Sequence, residues 1–263
     1  MTAANFFRDG WCRFGPDDRL RAWVRAALPA ARATVHDPAH AQWHRYQDTW
    51  FAGVNVLPND TTGAVDHSGP LAGNAVHFIA DALALPDIAW DKAQVSVCYP
   101  GYPMPMAGES EALHRFRRDR DAAHVDGLLR EGPERRRYLR EYHAFILGIP
   151  MVPFGPTASP FVVWNGSHDL VRAAFRTRFG NLPPKQWPRE DVTEAYHAVR
   201  QRVFETCERI PLHAGPGEAF LVHRLAVHGM APWENGADAG PDGRMIVYFR
   251  PPHGGPAEWL NTA

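Results

Sequence analysis

In residues 1–92 apolar positions recur with helical spacing. Leu20, Trp23, Val24, Ala27 and Leu28 form one stripe behind the acidic start Asp17-Asp18. A second stripe, Leu71, Ala75, Phe78, Ile79, Ala82 and Leu83, begins after Pro70 and stops before Pro86, which predicts a second helix. From residue 93 the period shortens. Ala93 to Tyr99 alternates as a strand does and ends at the turn signal Pro100-Gly101. Tyr142 to Met151, Pro160 to Trp164, Glu218 to His223 and Arg244 to Phe249 are further strand-like runs, rich in β-branched and aromatic residues. One helical insertion interrupts them: Val192, Ala195, Tyr196, Val199, Val203 and Cys207 share a face within residues 189–209. Helices that do not alternate regularly with strands argue against a doubly wound sheet. They predict a mainly β fold, an antiparallel sandwich or barrel with flanking helices. No repeat or linker divides residues 1–263, so one domain is expected, with a mainly helical part over 1–92 and a β core over 93–250.

Composition narrows the function. With 28 basic and 29 acidic residues the chain has no basic excess to neutralise phosphates, so nucleic acid is not an expected partner. The start Met1-Thr2-Ala3-Ala4-Asn5-Phe6-Phe7-Arg8-Asp9 has no basic region before an apolar run, and no later run has membrane-spanning length, so a cytoplasmic protein without a membrane partner is expected. Cys12, Cys98 and Cys207 are far apart and form no Cys-x-x-Cys pair, as expected of reduced thiols. Nothing in the pattern specifies an oligomeric state. The 14 histidines and 9 tryptophans suit an enclosed metal pocket.

His124-Val125-Asp126 is the one His-x-Asp in the chain. On an extended segment residues i and i+2 point to one face, so both side chains can meet one metal ion. A later strand-like segment, Pro216 to Gly229, ends in His228, and Arg244 opens another strand sixteen residues on. The intervening Asn235 to Gly243 reads as a loop, so a hairpin would set Arg244 near His228. Two imidazoles and one carboxylate hold three positions on one face of an octahedral Fe(II) and leave three open. An arginine fork beside them would grip a carboxylate bidentately.

These residues resemble the phytanoyl-CoA dioxygenase-like family of Fe(II)/2-oxoglutarate-dependent oxygenases over residues 93–250. There a His-x-Asp strand is followed by Gly-Ser-His, matched by Gly166-Ser167-His168, then by a Gly-acid turn, a Phe-rich strand, two histidines and an arginine. The resemblance implies a double-stranded β-helix, the jelly-roll or cupin-like core. It implies His124, Asp126 and His228 as iron ligands, Arg244 as the 2-oxoglutarate anchor and Gln94 as a further co-substrate contact, with Ser96 on the same face and His223 structural. The implied cofactors are Fe(II), 2-oxoglutarate and O2, and the implied reaction oxidises a small molecule with release of succinate and CO2. Asp126 stands where related halogenases carry a small residue, which favours hydroxylation or desaturation over halogenation. The loop before Arg244 is longer than usual, and Phe145-Ile146-Leu147-Gly148 lacks a Trp found in some relatives.

Other readings stay open. The same three ligands around Zn or Mn would suit a hydrolase or isomerase, and a silent relative could bind a small carboxylate without turnover. Neither the hydrolase nor the isomerase needs Arg244. Arg115, Arg117, Arg118 and Arg120, with Arg135, Arg136, Arg137 and Arg140, could attract an anionic substrate. Interspersed with Asp119, Asp121, Glu131 and Glu134, they are instead expected to form a solvated, salt-paired face. Tyr99 to Met106 reads either as an apolar lid or as an ordinary packed loop.

Overall fold

The computed structural model describes residues 3–262. The N-terminal part contains helix α1 (Ala3–Asp9), strand β1 (Trp11–Phe14), helix α2 (Asp18–His36), a 3-10 segment (Pro38–Trp43), strands β2 (His44–Arg45) and β3 (Trp50–Phe51), and helix α3 (Asn74–Ala82). Next come β4 (Gln94–Cys98), α4 (Glu111–Asp119), β5 (Leu128–Glu131), β6 (Arg136–Leu139), β7 (Phe145–Pro150) and β8 (Phe161–Trp164). Helix α5 (Ser167–Phe179), a 3-10 segment (Pro184–Arg189) and helix α6 (Thr193–Thr206) precede β9 (Arg209–Leu212), β10 (Ala219–His223), β11 (His228–Met230), β12 (Arg244–Phe249) and α7 (Pro256–Asn261). None of these helices is long and apolar enough to cross a membrane.

The core is a double-stranded β-helix. A seven-stranded sheet runs in the order β1-β10-β7-β12-β4-β3-β2 and a three-stranded sheet in the order β11-β8-β9, with every pairing antiparallel. His124 adds a fourth rung to the smaller sheet, because its N–H and C=O exchange bonds with those of His228 at 2.8 and 2.9 Å. Alternation along the strands assigns the faces. On β12, Met245, Val247 and Phe249 pack outward with α2 residues Leu20, Trp23, Val24 and Ala27, while Ile246 and Tyr248 point between the sheets with Phe161, Phe220 and Val222. The smaller sheet's outer face, Val162 and Trp164, packs on α5, α6 and α7 through Phe175, Tyr196 and Trp259.

Local chemistry explains the element starts. Asp17 caps α2 by accepting the N–H groups of Arg19 and Leu20, and its other oxygen accepts the N–H of Asn74 at the start of α3. The predicted stripe therefore belongs to a 19-residue helix that continues through Ala31 and Val35. Residues 1–92 also contribute strands: β1 and β3 join opposite sides of the large sheet. The strand-like segment Pro216 to Gly229 divides into β10 and β11, and the strands β5, β6 and β9 and the helices α4 and α5 have no counterpart in the periodicity; α4 is mostly charged and is started by Ser110, whose Oγ accepts the N–H of Leu113. No hairpin joins His228 to Arg244, because β11 pairs with β8 in one sheet and β12 with β4 and β7 in the other.

Candidate metal centre

His124, Asp126 and His228 converge: one ligand atom from each lies within 4.8 Å of the others. His124 Nε2 is 3.2 Å and His228 Nε2 3.6 Å from Asp126 Oδ1. The two rings are 4.5 Å apart between centroids, set by the mutual backbone bonds of the two histidines. Each ring is held in the same way. His124 Nδ1 lies 3.0 Å from the carbonyl of Ala122, and His228 Nδ1 lies 2.9 Å from that of Ala226. A carbonyl only accepts, so each Nδ1 carries a proton and each Nε2 faces Asp126. Phe161 stacks on the His228 ring at 5.4 Å and 9° and fixes its plane.

The electrostatics keep this donor set ready for a cation. Burial alone would raise the Asp126 carboxyl, but opposing effects led by the charge of Arg250 outweigh it and hold it well below the ordinary carboxylate range. Burial lowers His228 despite the opposing pull of Asp126, so its imidazole stays neutral. One carboxylate and two imidazoles on one face are a donor set suited to a divalent transition metal with positions left open.

Arg244 is completely buried, with 0% exposure. Its Nη2 donates to the Tyr248 hydroxyl at 2.7 Å, its Nη1 lies 3.4 Å from Met230 Sδ, and its Nε has no partner. No carboxylate lies within ion-pair distance of it among the described residues. Tyr248 and Met230, which Arg244 touches, line a cavity of about 330 Å³ together with His124, Asp126, His228, Gln94 and Ser96. Arg244 is thus a buried cation behind the wall of the cavity lined by His124, Asp126 and His228. Gln94 also reaches this cavity, but both ends of its amide are engaged: Nε2 donates to the carbonyl of Ala52 at 2.8 Å and Oε1 accepts from Arg250 Nη2 at 2.6 Å.

Arg250 is the residue that the motif reading missed. It bridges Asp126 Oδ2, at 3.3 Å, and Gln94. A second cavity, of about 670 Å³, lies on its other side and shares Val54, His124, Asp126 and Arg250 with the first. In the sequence Tyr196 is one member of a helical stripe; in the structure its hydroxyl accepts the N–H of Val125, between His124 and Asp126, at 3.2 Å.

The arginine clusters are not uniformly solvated. Arg118, Arg136 and Arg140 pair with acids at the surface as expected, but Arg117 and Arg137 are 4% and 7% exposed. Arg117 is clasped by Glu109 and lies 3.8 Å over the ring of Tyr46, which stacks on Trp50; both aromatics line the smaller cavity. In the Tyr99 to Met106 segment, Tyr102 is buried in the cavity wall and Met104 and Met106 are exposed. His223 is buried away from the cluster, beside His168. The cysteines are free thiols, and burial raises Cys12 to about 12 and Cys98 to about 11.

No family model and no curated protein matches the chain. Among solved structures it is similar to the non-heme alpha ketoglutarate dependent carbocyclase SnoK from nogalamycin biosynthesis, at 10% identity over 95% of this chain and 82% of that one, with a TM-score of 0.48. It is also similar to the epimerase SnoN from the same biosynthesis, at 15% identity over 94% and 79% of the two chains, TM-score 0.44. A third is EctD from S. alaskensis with 2-oxoglutarate and 5-hydroxyectoine, at 16% identity over 95% and 74%, TM-score 0.40.

Proposed function

We propose that the protein is a non-haem Fe(II)- and 2-oxoglutarate-dependent oxygenase that hydroxylates a small molecule, with release of succinate and CO2. The observation that carries this reading is Arg244: a wholly buried guanidinium without a carboxylate partner, set behind the cavity that holds His124, Asp126 and His228. A buried cation left without an anion is costly, and a dicarboxylate co-substrate would supply the missing charge. A hydrolase built on the same three ligands would have no use for it.

His124, Asp126 and His228 would hold the iron on one face, with their Nδ1–carbonyl bonds fixing the ligating nitrogens. Arg244 and the Tyr248 hydroxyl, already 2.7 Å apart, would share the distal carboxylate of 2-oxoglutarate. Burial raises Tyr248 above its ordinary value, so it stays a neutral donor. When bound, iron and 2-oxoglutarate together supply the activation of dioxygen. Ile146, Phe161, Tyr102 and Trp50 wall the cavity and limit water.

Anaerobic addition of Fe(II) and then 2-oxoglutarate should produce a visible charge-transfer band. Arg244→Ala should weaken 2-oxoglutarate binding read from that band. No band in the wild type, or an unchanged affinity in the variant, would overturn the assignment.

A further inference from the structure

Strands β5 and β6 form a two-stranded sheet of their own, and their register sets Arg130 directly opposite Arg137. Like charges at directly opposed positions destabilise a strand pair. Parity puts both on the face that carries Leu128 and Leu139, which pack into the core beneath α6. There Arg200 joins them: Arg137 and Arg200 lie 4.7 and 5.2 Å from the centre of the Tyr196 ring. Arg135, in the connecting turn, adds a fourth charge. Among the described residues, none of these four has a carboxylate within 4.0 Å; the nearby acids are taken, Glu131 by Arg140 and Glu134, Asp191 and Glu194 by Arg136.

The compensation present is partial. Arg137 Nη1 donates to the carbonyl of Leu128 at 3.0 Å and Arg200 Nη1 to that of Ala123 at 3.4 Å, and Tyr196 offers its ring. None of these is an anion. Burial, and then the charges of Arg130, Arg200 and Arg135, lower the proton affinity of Arg137 although Tyr196 opposes them. Arg137 also lines the cavity of about 670 Å³ that reaches His124, Asp126 and Arg250.

We propose that Arg130, Arg137 and Arg200 form an oxyanion subsite that takes a phosphate-like group on the end of the substrate remote from the oxidised carbon. Three guanidinium groups gathered near Tyr196, exposed Arg130 opposite buried Arg137 and with Arg200 on the same ring, and none with a carboxylate within 4.0 Å among the described residues, suit a multivalent oxyanion better than a single carboxylate. That the anion belongs to the substrate rests on the oxygenase reading; that an anion binds here does not.

The test is calorimetric titration of the full chain, without Fe(II) or 2-oxoglutarate, at low ionic strength. Inorganic phosphate and hexyl phosphate are the probes. Both should bind, hexyl phosphate more tightly because its chain can enter the cavity. The double variant Arg130→Gln, Arg200→Gln should bind each at least about tenfold more weakly, while its melting temperature without phosphate stays level or rises as repulsion is removed. No binding by the wild type, or equal affinity in the double variant, overturns the subsite. Equal affinity for the two phosphates overturns its assignment to the substrate. Because iron plays no part, none of these outcomes depends on the proposed oxidation chemistry.

Discussion

Arg244 and Arg250 share the inward parity of β12 and its continuation, six residues apart, yet only Arg250 has an acid to hold. Arg250 fixes one oxygen of Asp126 and leaves the other facing two imidazoles, which would make it a positioning residue for the proposed iron ligands. Tyr196 acts on the backbone of the same segment. Replacing its hydroxyl in Tyr196→Phe strands the buried N–H of Val125, which should cost about 1–3 kcal/mol in urea unfolding. Loosening a segment that carries two of the proposed ligands should also weaken Fe(II) binding by about 10- to 100-fold. Equal metal affinity in the variant would show that His124 and Asp126 need no such support. That His124, Asp126 and His228 lie together was legible because their chemical types and order are restrictive. Arg250 was not, since it precedes Pro251-Pro252 and its partner Asp126 is far away in sequence. Extending the alternation Arg244, Ile246, Tyr248 by one step would have put it on the cavity face.

At the scale of elements, the two segments that carry the proposed ligands are each followed by glycine at a point of close backbone approach. A Cβ on Gly229 would lie 2.2 Å from the carbonyl oxygen of Asp121, and one on Gly127, whose φ is +86°, would lie 2.4 Å from that of Glu141. Gly229 therefore lets β11 draw in to the 121–124 segment, where Met230 donates to Asp121 and His228 pairs with His124. Gly229→Ala should push the two apart and cost about 1–3 kcal/mol by thermal unfolding. Its Fe(II) affinity should fall further than that of a β12 core variant such as Val247→Ala, which leaves the histidine rung in place. If both variants lose metal equally, the close approach is not what aligns the ligands. The elements most legible in sequence were those that alternate or repeat over a full span: the predicted strand from Arg244 to Phe249 is β12 to the residue, and the helix predicted over 189–209 contains α6. β5, β6 and β9 have four residues each, too short for a period to show. Pairing across the fold, not local propensity, makes them strands.

At the scale of the molecule, the N-terminal part is built into the barrel, because β1 covers the β10 edge and α1 lies against the histidines beneath it. That junction should make stability depend on pH. His168 and His223 are each 1% exposed and 4.9 Å apart between ring centroids. Nε2 of His168 bonds the carbonyl of Phe7 in α1, and Nδ1 of His223 accepts the N–H of Leu225. A proton on His223 would break that bond and face Arg172 and Arg224; a proton on His168 would meet Asp169 and Asp9 but also Arg172. Burial dominates, so both folded histidines titrate below the ordinary value of 6.5, His223 well below it. The unfolded chain therefore takes up protons first. Their contribution is fully present above about pH 6.5 and is lost as pH falls from there, by up to about 1.4 kcal/mol per pH unit for each histidine until its folded form titrates. Between about pH 6.5 and 5 most carboxylates remain ionised, so histidines dominate this slope. His228 is also lowered and contributes in metal-free protein, so wild type and variant must be compared under the same metal conditions. Urea midpoints measured across this window should fall steeply for the wild type and less steeply for His168→Gln, His223→Gln. Parallel slopes would mean that the junction under α1 opens and hydrates before either imidazole is protonated, which would remove burial as the source of the effect.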